Sequence, residues 1–81
     1  MREEHSFYFH VVDCHGRDIK GVTLQGVYFE GGHRCLLPEV HTDLVGRAIV
    51  ESYSNILVGM VVDGVEVDCR YYPNQLYGFQ I

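Results

Sequence analysis

The sequence predicts an α+β domain in which one helix packs on one face of an antiparallel sheet of five to six strands. Two segments pair well as antiparallel hairpins, and the segment between them has apolar residues at helical spacing. The predicted order of elements is β-β-β-α-β-β, with a short further strand near the C-terminus. The same observations leave open a small curled β-barrel with the helix as a lid.

The chain has 81 residues and is predicted to form a single domain over residues 1–81. A chain of this length buries only about 60% of the surface that its unfolded form exposes, so its core is small. Hydrophobic residues make up 47% of the chain and charged residues 21%. This composition is ordinary for a globular protein and differs from that of disordered segments.

The best defined predicted element is a hairpin that turns at Asp63-Gly64. Both central residues of a type I′ turn need a positive φ, and Asp-Gly is a favoured pair there. This register places Met60 opposite Val67 and sorts the apolar residues onto one side. Continued outward, it predicts a buried face made of Ile56, Val58, Met60, Val62, Val65, Val67, Cys69 and Tyr71.

The first half of the chain predicts a three-stranded antiparallel meander. A loop at residues 15–18 separates the first two strands, and the glycine pair at residues 31–32 turns the chain into the third. The second hairpin then pairs Tyr28 with Cys35. The meander places its apolar pairs inward and a charged pair near the first loop.

Residues 38–54 supply the predicted helix, and Pro38 suits its first turn. Asp43, Arg47 and Glu51 line one side of this segment. The other side carries residues that recur at three- and four-residue steps, a helical stripe, namely Val40, Leu44, Val45, Ala48, Ile49 and Ser52. After Pro73 the tail predicts a turn and a short strand near residues 76–80.

The formal net charge is −5, and the six basic residues are spread singly along the chain. Phosphate backbones are bound chiefly by clustered Lys and Arg, so this pattern argues against a nucleic-acid partner. No apolar run approaches the roughly 18 residues that a membrane span needs, and no membrane partner is predicted.

Three cysteines, Cys14, Cys35 and Cys69, cannot all pair within one chain, and none has a C-x-x-C spacing. An unpaired set suits a reducing compartment better than a secreted disulfide framework. The sequence therefore predicts a cytoplasmic protein.

Asp63, Glu66 and Asp68 resemble an acidic metal loop only in composition. Counted from Asp63, the EF-hand positions that require glycine and glutamate hold other residues. His33 and Cys35 share a face, yet a structural zinc needs four ligands. No metal and no cofactor is predicted.

Cys14 and His15 are adjacent, and neighbouring strand residues point to opposite faces, so His15 is not placed to activate the thiol. No phosphate-binding loop, nucleophile elbow or zinc-protease motif occurs, and no motif identifies a family. The sequence thus favours a protein that is not an enzyme and leaves a minor enzyme as the alternative.

The predicted meander has a second face that is too apolar for contact with water alone, and aromatic residues near the C-terminus add to it. Tyrosine is enriched where proteins meet. Three closures of this face are open: curling of the sheet around it, the C-terminal tail folding back to fill the core, or cover by another chain. For the last of these, the predicted interaction surface consists of Tyr8, Val12, Ile19, Val27, Phe29, Leu36, Tyr72, Tyr77 and Phe79.

These observations predict a small non-enzymatic protein-interaction module, an inhibitor or accessory factor of the kind that mobile elements and phages encode. Its partner is another protein or a second copy of the chain. The alternative is a small-molecule-binding protein or minor enzyme, with a pocket between helix and sheet or at a dimer interface, using His10, His41 or Tyr8. A third hypothesis, DNA mimicry by the acidic face, requires a contiguous stripe of negative charge on the folded surface.

Overall fold

The computed structural model describes residues 3–81, and its regular structure is all β. The strands are β1 His5–Val12, β2 Thr23–Glu30, β3 His33–Leu36, β4 Val40–His41, β5 Arg47–Ser52, β6 Gly59–Val62, β7 Val65–Val67 and β8 Leu76–Gln80. Residues 3–81 contain no helix, so the predicted α+β class and the helix-lidded barrel are both wrong. Accordingly, this part of the chain has no helix that could cross a membrane.

The strands form two sheets, neither of which closes on itself. The smaller sheet has the order β5-β1-β8, with β1 antiparallel to β5 and parallel to β8. The larger sheet has the order β3-β2-β6-β7, and the short β4 pairs with β2 on the same edge as β3. β7 and β8 are therefore end strands of their respective sheets.

The core lies between the inner faces of the two sheets. Phe7, Phe9 and Val11 alternate along β1 and are fully buried, as the period of two in a strand requires. They pack in one cluster with Leu24 and Met60 of the larger sheet. The sheets thus pack face to face and share one core.

The predicted turn at Asp63-Gly64 is confirmed, with φ values of 50° and 81°. The predicted pairing of Met60 with Val67 is confirmed as well. Farther from the turn the register shifts by one residue, so that Leu57, and not Ile56, lies opposite Tyr71.

This shift corrects the predicted buried face. Leu57 is buried in place of its neighbours, because a shift of one residue moves side chains to the opposite face. Among the predicted core residues, Met60, Val62 and Tyr71 are buried, Ile56 and Val58 are half-buried, and Val65, Val67 and Cys69 are exposed.

Of the predicted meander, the second hairpin is confirmed and the first is wrong. Tyr28 lies opposite Cys35 as predicted. β1, however, pairs with β5 and β8, and it belongs to a different sheet from β2. Phe9 and Leu24 suit neighbouring strands because both are apolar, but they belong to different sheets and lie in the same buried cluster. The short C-terminal strand predicted near residues 76–80 is confirmed as β8.

The predicted helix over residues 38–54 is replaced by β4, a tight turn and β5. Burial along β5 alternates strictly, with Ala48, Val50 and Ser52 inside. Leu44 and Val45, which belonged to the predicted helical stripe, are exposed in the turn. Ala48 and Ser52 belong both to the predicted helical stripe and to the buried side of β5. The turn at Asp43 separates β4 from β5, so the segment forms two strands and not one helix.

Candidate functional site

The two end strands β7 and β8 border an open apolar cleft at one flank of the sandwich. Its volume is about 310 Å³. We call it the β7–β8 cleft, and it is lined by Val62, Asp63, Val65, Val67, Phe79, Gln80 and Ile81. Two strands from different sheets thus present apolar side chains to the same opening.

The hairpin at Asp63-Gly64 determines which side chains of β7 face the cleft. Val65 and Val67 lie on the same side of the sheet as Met60 and Val62, which are 0% and 3% exposed. Val65 is nevertheless 66% exposed, and Val67 is 36% exposed. The smaller sheet ends at β8, so this inward-facing side of β7 has no covering strand.

The backbone of β8 adds a row of hydrogen-bonding groups beside the cleft. The carbonyl of Gln75 accepts from the amide of Tyr8 at 3.3 Å, and the amide of Ile81 donates to the carbonyl of Val12 at 2.9 Å. Alternate residues of a strand direct their amide and carbonyl groups to opposite edges. The amides and carbonyls of Leu76, Gly78 and Gln80 therefore point away from β1, at the free edge.

An aromatic cluster fixes β8 against β1. The rings of Tyr77 and Phe79 stack on Phe9 with centroid distances of 5.9 and 5.8 Å. Tyr71 meets Tyr77 edge to face at 4.9 Å, and burial raises the pKa of Tyr71 to about 12. The hydroxyl of Tyr77 accepts from the amide of Tyr72 at 2.8 Å. Packing of these aromatic rings therefore holds β8 in place beside the cleft.

Few charges lie near the free edge of β8. Residues 73–81 contain no Asp, Glu, Lys or Arg. Glu66 of β7 is on the outer face of its sheet, where it forms an ion pair with Arg34 of β3. Asp63, at the turn, is the acidic residue that borders the cleft. The site is thus an apolar and nearly uncharged surface on a protein whose net charge is −5.

The structure distributes the predicted interaction surface over several faces. Tyr8, Phe29, Leu36 and Tyr72 are exposed, whereas Val12, Ile19, Tyr77 and Phe79 are half-buried and Val27 is buried. Within this set only Phe79 lines the cleft. The residues that sequence reasoning missed are Val65 and Val67, assigned to the core, and Ile81. No local signal in the sequence shows that the opposite sheet ends before it reaches β7.

A second concavity, of about 720 Å³, contains two of the residues proposed for a small-molecule pocket. Tyr8 and His41 line it together with Arg47, Ile49 and Leu76 among others. The third proposed residue, His10, lies apart from that lining, and its Nε2 is 2.7 Å from Oδ1 of Asp18.

A third concavity, of about 430 Å³, has an acidic and aromatic lining that includes Phe29 and Tyr53. The side chain of Glu51 forms a hydrogen bond with Glu4 there and, with its negative charge, raises the pKa of Glu4.

Within residues 3–81, no three His, Cys, Asp or Glu side chains converge as a metal site. Cys14, Cys35 and Cys69 are unpaired. The amide of His15 donates to Oδ1 of Asp13 at 2.8 Å, which places His15 within the turn that follows β1.

Comparison with models of known protein families, with curated proteins and with solved structures finds no match for this chain.

Proposed function

We propose that the protein is a small non-enzymatic protein-interaction module that binds a polypeptide partner at the β7–β8 cleft. The observation that carries the proposal is the 66% exposure of Val65 on the side of its sheet that elsewhere forms the core. A large apolar side chain in that position gains free energy when a partner covers it, at about 25 cal/mol per Å² of apolar surface removed from water.

The free edge of β8 supports a polypeptide as the ligand. A strand that joins an exposed sheet edge gains main-chain hydrogen bonds, and pockets for its alternate side chains supply specificity. The outward amides and carbonyls of Leu76, Gly78 and Gln80 provide the first requirement, and the adjacent cleft provides the second. Native sheet edges are usually protected by charges or proline, and β8 has neither.

The expected setting is the reducing cytoplasm, where an inhibitor or accessory protein with free thiols persists. Cys14 and Cys69 are exposed and Cys35 is half-buried, and all three are unpaired. Such thiols are compatible with a compartment that keeps them reduced.

The test compares two aspartate substitutions of exposed apolar residues. Val65→Asp places a negative charge in the cleft. Leu44→Asp places the same charge in the turn before β5, away from the cleft, at a residue that is 77% exposed. Neither site is in the core, so both variants should fold. Capture from lysate by the tagged chain, quantified by mass spectrometry, should show a protein retained by wild type and by Leu44→Asp and reduced about tenfold or more by Val65→Asp. Equal retention by both variants would contradict the proposal.

A second candidate function is supported by the concavity lined by Tyr8 and His41. Its volume of about 720 Å³ is within the range of small-molecule sites, roughly 300–1,000 Å³. A thermal-shift screen of metabolite classes, repeated on Ile49→Asp, tests it. Stabilisation of wild type that is lost in Ile49→Asp would support this second function, and no stabilisation by any class would count against it.

A further inference from the structure

We propose that the polypeptide bound at this flank is a second copy of the chain, with β8 pairing antiparallel to β8 of that copy across a two-fold axis at Gly78. This inference rests on the proposed function, because it identifies the partner of the same flank. It joins the two smaller sheets into one sheet of six strands, with the order β5-β1-β8-β8-β1-β5.

The backbone pattern of β8 is complementary to itself in this register. Leu76, Gly78 and Gln80 each direct one amide and one carbonyl to the free edge, and they are spaced evenly about Gly78. In an antiparallel pair, residues directly opposite each other in alternate rows exchange both hydrogen bonds. Gly78 therefore pairs with Gly78 of the second copy, and Leu76 with its Gln80. This register satisfies every outward group of β8.

The side chains are compatible with the same register. A Cβ placed on Gly78 would have as its nearest neighbour the carbonyl oxygen of His10 at 3.9 Å, so there is room for a side chain on the face to which this Cβ points. On the inner face, Tyr77 lies opposite Phe79 of the second copy. Aromatic cross-strand pairs stabilise antiparallel strands, and this pair would extend the aromatic cluster around Phe9 across the interface.

The charge distribution favours contact between two copies through β8 over contact between them elsewhere on the surface. Two chains with a net charge of −5 repel each other on average, but residues 73–81 carry no charged side chain. Like charges directly opposite each other destabilise a strand pair. Two β8 strands can meet without placing any such charges opposite each other. An acidic or basic partner strand would find no complementary charge on β8.

Cysteine cross-linking tests the register. In a background with Cys14, Cys35 and Cys69 changed to serine, Gly78→Cys places two sulfurs on opposite residues whose Cα atoms are about 5.5 Å apart, within the range of roughly 4.4–6.8 Å for a disulfide. The matched Leu76→Cys variant places them about 14 Å apart, four residues out of register. Oxidation should join Gly78→Cys chains and leave Leu76→Cys chains separate. Cross-linking of both, or of Leu76→Cys alone, would overturn the register.

Light scattering on the chain with its native cysteines tests the interface independently. Wild type at micromolar concentration should have twice the chain mass of 9.3 kDa. Gly78→Lys places two ammonium groups opposite each other and should weaken the dimer about tenfold or more, whereas Gly78→Thr, a strand-favouring control, should leave it intact. A monomeric wild type, or an undiminished dimer in Gly78→Lys, would overturn the inference.

The two proposals fail in different ways. A monomeric wild type that still loses a captured protein through Val65→Asp supports the interaction module and rejects the dimer. The opposite result is a dimer that Gly78→Lys weakens, together with captured proteins that Val65→Asp does not reduce. It supports pairing through β8 and rejects the cleft as the binding surface.

Discussion

Asp13 and Asp43 stabilise two turns of the same geometry, one after β1 and one before β5. Oδ1 of Asp13 accepts from the amides two and four residues ahead at 2.8 and 3.0 Å, and Oδ1 of Asp43 does the same at 3.0 Å for both. In each turn a glycine amide donates to the aspartate carbonyl at 3.0 Å. The sequences, DCHGR at 13–17 and DLVGR at 43–47, share their Asp, Gly and Arg.

The glycines of these turns should differ in their tolerance of alanine. Gly16 and Gly46 have φ values of +78° and +73°, but a Cβ at Gly16 would meet nothing within 4 Å, while one at Gly46 would lie 2.6 Å from the carbonyl oxygen of Val11. Gly16→Ala should therefore lower the free energy of unfolding by about 1–2 kcal/mol, the cost of a left-handed backbone. Gly46→Ala should lower it by on the order of 3 kcal/mol. Urea unfolding measures both, and equal losses would contradict the close packing at Gly46.

Acid should weaken the turn before β5 through the carboxylate of Asp43. The amide of Arg47, donating to this carboxylate, holds the pKa of Asp43 below its ordinary value of 3.8, with smaller contributions from the amide of Val45 and the charge of Arg47. A lowered pKa means that the stabilisation is present above pH 3.8 and is lost as pH falls through the folded-state pKa. Asp43→Asn keeps an acceptor oxygen but removes the titration.

Melting temperature measured as a function of pH should therefore separate wild type from Asp43→Asn above pH 3.8 and bring the two together in stronger acid. Asp63→Asn is the matched control, since Asp63 is also in a turn and Asn tolerates its positive φ of 50°. If Asp43→Asn and wild type differed equally at every pH, the carboxylate charge would not be what stabilises the turn.

Local chemistry made the two correctly predicted hairpins readable from the sequence. Asp63-Gly64 and Gly31-Gly32 adopt the positive φ values that their turns require, and a two-residue turn fixes the register beside it. The segment 43–47 carried an equally local signal, because it repeats the spacing of 13–17. The helical stripe over residues 38–54 obscured it, since Ala48 belongs to both patterns.

The site could not be predicted, because it depends on pairings between distant parts of the chain. The register around Asp63 shows correctly that Val65 lies on the inward side of β7. Its exposure depends on where the smaller sheet ends, and that is set by the parallel pairing of Tyr8 with Leu76, from opposite ends of the chain. The sequence contains no local feature that specifies this pairing.

Gly26 should tolerate alanine and resist valine. A Cβ there would lie 2.8 Å from Cδ1 of Leu37, a half-buried side-chain end that can move, and 3.3 Å from Cγ1 of buried Val50. Gly26→Ala should therefore cost less than about 1.5 kcal/mol, while the branched Gly26→Val should cost about 1–3 kcal/mol by overpacking. Leu37→Ala combined with Gly26→Val should recover part of that loss. Purely additive losses in the urea unfolding of the double variant would contradict the contact.

Alkali should destabilise the protein through Tyr71, which lies in the core beside Phe9 and Tyr77. Burial, with the nearby Cys69 and Tyr77 groups, raises the pKa of Tyr71 from 10.0 to about 12. The folded state therefore binds the phenol proton more tightly than the unfolded state does. This contribution to stability is fully present below pH 10 and is lost as pH rises through about 12. Tyr71→Phe keeps the ring and removes the proton.

The difference in phenolate absorbance between wild type and Tyr71→Phe isolates the ionisation of this one side chain. It should have its midpoint near pH 12 while the protein remains folded, and urea unfolding of wild type should weaken more steeply above pH 10 than that of Tyr71→Phe. Tyr53→Phe is the control, since Tyr53 is 58% exposed and its removal should leave the alkaline loss of stability in place. A midpoint near pH 10 for Tyr71 in the folded protein would contradict its burial in the aromatic cluster that fixes β8 beside the cleft.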